Sequence, residues 1–177
     1  MATVCVVIVE RPGASLARTI TALARQDRRP DRIRCGGPGE AERLRPLAAG
    51  IPLEPAIGPD RPVEDAVAFL DAGSEPGTSW LGRLTGPLDD RAVGFAFGPS
   101  LGARDRPYGP IVAEEWVYRG LRSGAAEHSA VHNTVWSGEL VRSTEVPAAA
   151  GVIDPEQLAG RALRESRTGR FVPDADV

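Results

Sequence analysis

The sequence predicts an α/β protein built on a mostly parallel central sheet. Three observations carry that prediction. Residues 3–9 form a nearly continuous β-branched run, the pattern of a strand buried on both faces. An amphipathic helical stretch and a second extended stretch come next, so the chain opens strand, helix, strand, a βαβ unit. A further apolar strand, residues 66–70, ends in the turn signature Asp71-Ala72-Gly73-Ser74.

Each element has a local reason. Arg11-Pro12-Gly13 breaks the first strand. Over residues 15–26, Leu16, Ile20, Leu23 and Ala24 recur at helical spacing, and Arg28-Arg29-Pro30 ends that helix. Residues 31–35 make the second strand, closed by Gly36-Gly37-Pro38-Gly39. A short helix over residues 40–49 is interrupted at Pro46, whose ring and missing N–H disfavour a helix interior. Residues 51–62 are proline-rich loop with one short extended piece. After the strand at 66–70, residues 79–88 are helical with Leu81, Leu84 and Leu88 on one face, and residues 93–98 form another strand. Residues 100–109 are loop, 114–122 fit helix or strand equally, 131–135 are extended and 138–144 form a short helix. Asp154, Pro155 and Gln157 make an N-cap, an N1 proline and a capping-box partner for a last helix. Leu158, Ala162 and Leu163 are its apolar stripe, Gly169 is its expected stop, and Phe171-Val172-Pro173 resumes an extended course. No internal repeat or low-complexity linker divides the chain, so one domain is expected over residues 1–177.

Composition removes several function classes. The formal net charge of −3 argues against a nucleic-acid partner, which calls for a basic face. All 21 basic residues are arginine, so P-loop lysines, Schiff bases and PLP chemistry are excluded. Cys5 and Cys35 are the only cysteines, which rules out a disulfide scaffold and a four-cysteine zinc site; both lie in or at the end of strands and read as core. No Gly-x-Ser-x-Gly elbow occurs. No apolar run reaches the ~18 residues of a membrane span. The first residues lack the basic region and cleavage site of a signal peptide, so a cytoplasmic protein is expected.

In an open parallel sheet, ligands sit beyond the carboxyl ends of the strands. Three places qualify: Glu10 and Arg11, the loop from Gly36 to Gly39, and the turn from Asp71 to Glu75. The glycine-rich loop reads as a phosphate cradle or a tight turn. The turn is favoured, because the loop is not GxGxxG and no strong helix is expected directly after it. Asp71 reads as a carboxylate that holds a divalent cation against a diphosphate, or as a turn former. His128 and His132 would share a helix face, but Val131, Thr134 and Val135 favour extension, so hydrogen-bonded histidines are favoured over a metal pair.

The ordered set of these pieces resembles a family 2 glycosyltransferase of GT-A fold. The opening is similar: a hydrophobic strand, the Pro12 loop, a helix containing Ser15-Leu16, then Gln26-Asp27 and a second strand. The middle, residues 68–76 with Trp80-Leu81, Leu88, Val93-Gly94 and Gly98-Pro99, is similar to the family's metal-site segment and the helix and strand after it. At the end, Asn133, Arg142, Gly151, Ile153-Asp154, Leu158, Arg161, Gly169 and residues 172–175 fit the same pattern. The resemblance implies a three-layer α/β/α sandwich and inverting transfer from a nucleotide-sugar donor to an acceptor. It further implies magnesium or manganese at Asp71, with Glu75 as a second ligand. Glu10, Arg11, Gly36, Gly37 and Asp71 would bind the nucleotide, and Asp154 or Glu156 would serve as base. A protein partner or a second copy is the expectation if catalysis is lost.

The departures lie at these same motifs. Paired acids usually end strand two, where this chain has Gly36-Gly37. The family's metal acids stand two apart, whereas here Asp71 is followed by Gly73. The catalytic acid pair falls on Asp154-Pro155, with Asp154 one place off and already explained as a cap. Arg11 or Arg104 could replace some of the metal's charge. The resemblance therefore implies a transfer domain with weakened or lost catalytic motifs or, alternatively, a non-catalytic binding domain of the same fold.

Overall fold

The computed structural model describes residues 2–10, 12–56, 62–98, 133–144, 158, 161–162, 164–172, 174–175 and 177. Expectations at Arg11, Arg104, His128, His132, Pro155, Gln157 and residues 100–122 lie outside the described residues, as do those at Asp154 and Glu156.

In chain order the elements are β1 (Val4–Val9), α1 (Leu16–Ala24), β2 (Arg32–Arg34), α2 (Pro38–Leu44), a 3₁₀ turn (Arg45–Ala48) and β3 (Leu53–Glu54). Next come β4 (Ala66–Asp71), α3 (Trp80–Thr85), a second 3₁₀ turn (Gly86–Asp89), β5 (Val93–Phe97), β6 (Asn133–Ser137), α4 (Gly138–Ser143) and β7 (Thr168–Phe171). Among the described residues these strands form one seven-stranded sheet, in the order β3-β2-β1-β4-β6-β5-β7. The β1 strand is parallel to β2 and to β4, as the apolar run predicts. Among the described strands only β6 runs against its neighbours, β4 and β5.

The period-two alternation of β4 builds the layers. Ala66, Ala68 and Leu70 join Val4, Val6, Ile8 and Ile33 in a core with Leu16, Ile20 and Leu23 of α1, Leu44 of α2 and Leu81 and Leu84 of α3. Val67 and Phe69 point the other way, toward Phe95, Phe97, Trp136, Leu140 and Val141, together with Leu158 and Ala162. Helices thus cover both faces of the sheet, an α/β/α sandwich. On the second face Phe95 and Trp136 are cross-strand partners stacked at 4.4 Å between ring centroids.

Two expectations are corrected. The loop after β2 runs directly into a helix: Gly37 is its N-cap and Pro38 its first residue, where a proline's missing N–H costs nothing. Gly169 does not stop the last helix. That helix gives way to a turn at Ser166, whose φ is 56°, and Gly169 lies in β7 against the Phe95 ring. The expected break at Pro46 does occur, with α2 ending at Leu44 and tightening into the first 3₁₀ turn.

Candidate functional site

Because β1, β2 and β4 are parallel, their carboxyl ends open at one end of the sheet. Val9 pairs with Asp71 across β1 and β4, and the amide of Ala72 donates to the Val9 carbonyl at 2.8 Å. From β1 the chain crosses through α1 to β2 on one side, while β4 lies on the other. The crevice between β1 and β4 is therefore the topological switch point, where ligands of open α/β sheets bind. Glu10 leaves β1 there, exposed, and Asp71 ends β4 there, half-buried.

The Asp71 turn is held from several sides. The Ser74 amide donates to the Asp71 carbonyl at 3.2 Å, closing a turn whose third residue, Gly73, has φ +90°. Thr19 of α1 clamps it: its hydroxyl accepts from the Gly73 amide at 2.9 Å and donates to the Ser74 carbonyl at 2.9 Å. Farther along the loop, buried Gln26 donates to the Gly77 carbonyl at 2.8 Å and accepts from the Leu81 amide at 3.0 Å. Asn133, the first residue of β6, pairs with Leu70, next to Asp71.

The second flank is the end of β2. Gly36 has φ +55°, and a Cβ there would fall 2.7 Å from Glu40 Oε2. Glu40 sits in the first turn of α2 and also pairs with Arg43 at 3.3 Å. Burial pushes the Cys35 thiol up to about 11, and the negative charges of Glu40 and then Glu10 push it the same way. Both carboxylates therefore act on one neighbourhood, the ends of β1 and β2. Burial above all, and then Glu64, raises the Cys5 thiol to about 12. Both cysteines are fully buried neutral thiols, not nucleophiles.

Glu75 is exposed, and its side chain pairs with Arg18 at 3.6 Å. No group of three His, Cys, Asp or Glu side chains able to hold a metal comes together among the described residues. Magnesium and manganese nonetheless fit the chemistry present, since such a cation is commonly held by one or two carboxylates with substrate phosphates completing its shell. Asp71, at the end of β4, is the candidate for that carboxylate.

No family model and no curated protein matches the chain. Solved structures do. Glucosyl-3-phosphoglycerate synthase from Mycobacterium tuberculosis, in complex with Mg2+ and uridine diphosphate, superposes with a TM-score of 0.62 at 16% identity, over 99% of this chain and 70% of that one. The chain has the GT-A glycosyltransferase fold. A mycobacterial protein matches with a TM-score of 0.60 at 17% identity, over 99% of this chain and 66% of that one. TarS of S. aureus matches with a TM-score of 0.59 at 11% identity, over 98% of this chain, which spans about a third (35%) of TarS. Glu10, Gly36, Gly37 and Asp71 lie at the carboxyl end of the parallel strands, and Glu75 pairs with Arg18.

Sequence reasoning did not single out Glu40 and Thr19 beside the candidate crevice, and it took Gln26 only as part of a family pattern, not as a support of the loop after Asp71. The Gly-Gly-Pro start of α2 is the signal for Glu40, because a helix beginning at Pro38 carries its third residue back over Gly36. Thr19 on the inward face of α1 and Gln26 just after the helix are buried polar positions, and a polar group there needs a partner on the facing loop.

Proposed function

We propose that this chain is a nucleotide-sugar-dependent glycosyl-transfer domain of the family 2 type with a weakened hold on its donor. The observation that carries the reading is Asp71, a carboxylate at the end of a buried strand, beside the switch point, in a turn clamped by Thr19. Asp71 would hold magnesium or manganese against the donor diphosphate, and the metal supplies positive charge to the departing diphosphate. Glu10, Gly36 and Gly37 would border the nucleoside. The Glu40 carboxylate beside Gly36 would accept hydrogen bonds that strand-end acids make elsewhere in the family. Arg11 would face the diphosphate, and Glu75 would join the metal only after releasing Arg18. Asp154 or Glu156 would take the proton of the acceptor hydroxyl.

The weakened hold follows from charge. Each missing charge-assisted hydrogen bond is worth roughly 1.5–3 kcal/mol, so two losses weaken donor binding by about a hundredfold or more. The alternative, a domain that binds or assembles without catalysis, is favoured by the backbone at Gly36 and Gly73, both in left-handed conformations where an acid is strained.

Thermal unfolding with millimolar uridine or guanosine diphosphate and manganese tests the reading. Transfer with weak binding predicts a small metal-dependent rise in melting temperature that Asp71→Asn removes. A rise that survives Asp71→Asn, or none at ten millimolar nucleotide, overturns the assignment of Asp71.

A further inference from the structure

The end of the chain reaches the candidate site through one buried side chain. Asn133 is fully enclosed at the head of β6. Its amide nitrogen donates to the Ala175 carbonyl at 2.7 Å, and its amide oxygen accepts from the indole N–H of Trp80 at 2.6 Å. Its register partner is Leu70, one residue before Asp71. Trp80 opens α3 and ends the loop that begins at Asp71. Asn133 therefore touches both ends of the loop carrying Asp71, and ties them to the segment after β7.

That segment is docked rather than loosely laid. Ala175 is fully buried, and Val172 and Val177 pack on the core to which α1 and α3 contribute. Arg83 of α3 donates to the Asp174 carbonyl at 2.8 Å. A Cβ on Gly98 would run into the Ala175 carbonyl and fall 2.7 Å from Asn133 Nδ2, so β5 is followed by glycine where the segment crosses. Buried polar groups that lose their partners are costly, so the three groups hold or release together.

We infer that Asn133 is a positioning residue that couples docking of the segment around Ala175 to order in the Asp71–Trp80 loop. The inference rests on the reading of that loop as the donor site only for its functional consequence, not for the coupling. Its test is amide hydrogen exchange, read as protection factors at Gly73, Ser74, Trp80 and Leu81 and at Ala175. Gly98→Ala crowds the Ala175 carbonyl and Asn133 Nδ2 but no residue of the loop itself, and the coupling predicts about a tenfold loss of protection at the loop amides. Trp80→Phe, which keeps an aromatic ring and removes the indole donor, predicts a comparable loss at Ala175.

Asn133→Asp separates coupling from bulk stability. Its carboxylate can still accept from Trp80 but cannot donate to Ala175. Protection at Ala175 and the loop should be low at neutral pH and recover in acid, where the carboxyl O–H becomes a donor. Loop protection unchanged in Gly98→Ala, equal loss across β2 and β3 in every variant, or no acid recovery in Asn133→Asp overturns the inference. A parallel titration with uridine diphosphate and magnesium should show weakened binding in Gly98→Ala. If wild type binds no nucleotide, the donor-site reading falls while the exchange data still decide the coupling.

Discussion

Gly73 shows how a single residue limits the chemistry of this site. Its φ of +90° closes the Asp71 turn, and a Cβ there would meet Ala14 Cβ at 3.4 Å, an ordinary contact. The obstacle to a second acid is therefore backbone conformation rather than space. Gly73→Ala and Gly73→Asp should each lower stability by about 1–2 kcal/mol, the usual left-handed penalty for a residue with a Cβ. Urea denaturation checks this. An aspartate far more costly than alanine would place the cause in charge instead.

The cysteines give a prediction in pH. Both thiols titrate near 9.0 when unfolded, and at about 12 (Cys5) and about 11 (Cys35) when folded. Above pH 9 the unfolded chain therefore binds fewer protons than the folded one, so stability falls as pH rises. The loss begins near pH 9 and continues to about 11 for Cys35 and about 12 for Cys5. The Cys5→Ala/Cys35→Ala double variant should flatten the fall in urea midpoint between pH 8.5 and 10, whatever its stability at pH 7. An unchanged slope would contradict the buried-thiol account.

At the scale of elements, local pattern was most readable where burial is strongest. The β1 run, the Leu16-Ile20-Leu23 stripe and the strand ending at Asp71 all fold as their periodicity predicts. What the sequence hid was set by tertiary contact. The helix after Gly37 and the strand around Gly169 both turn on glycine, which signals freedom but not direction. At Gly169 the neighbour decides: a Cβ would press into the Phe95 ring, itself stacked on Trp136. Gly169→Ala should destabilise the fold through β7, with early loss of exchange protection at Thr168 and Val172, whose amides bond to Ala92 and Phe97. Phe95→Ala should cost about 3–5 kcal/mol, the range for a large aromatic lost from a core. A much smaller value would mean that the second face of the sheet is loosely packed. Asp71 and Glu10 were legible as candidates because strand ends are. Glu40 was not, because its position depends on where α2 starts.

The whole molecule joins these scales through sheet order. With β1 central and β4 beside it, the loops after both strands meet at one crevice, and α1 closes it from behind through Thr19. On the proposed reading, glycine at positions 36, 37 and 73 in place of acids predicts weak but localised donor binding. The central claim is that a nucleotide diphosphate enters between β1 and β4. Backbone amide NMR during titration with uridine diphosphate and magnesium tests it most directly. The account predicts fast-exchange shifts at Glu10, Gly36, Ala72, Gly73 and Ser74, lost without magnesium or in Asp71→Asn. Shifts centred instead on β3, β7 or α4, or no shifts at ten millimolar nucleotide, would contradict it.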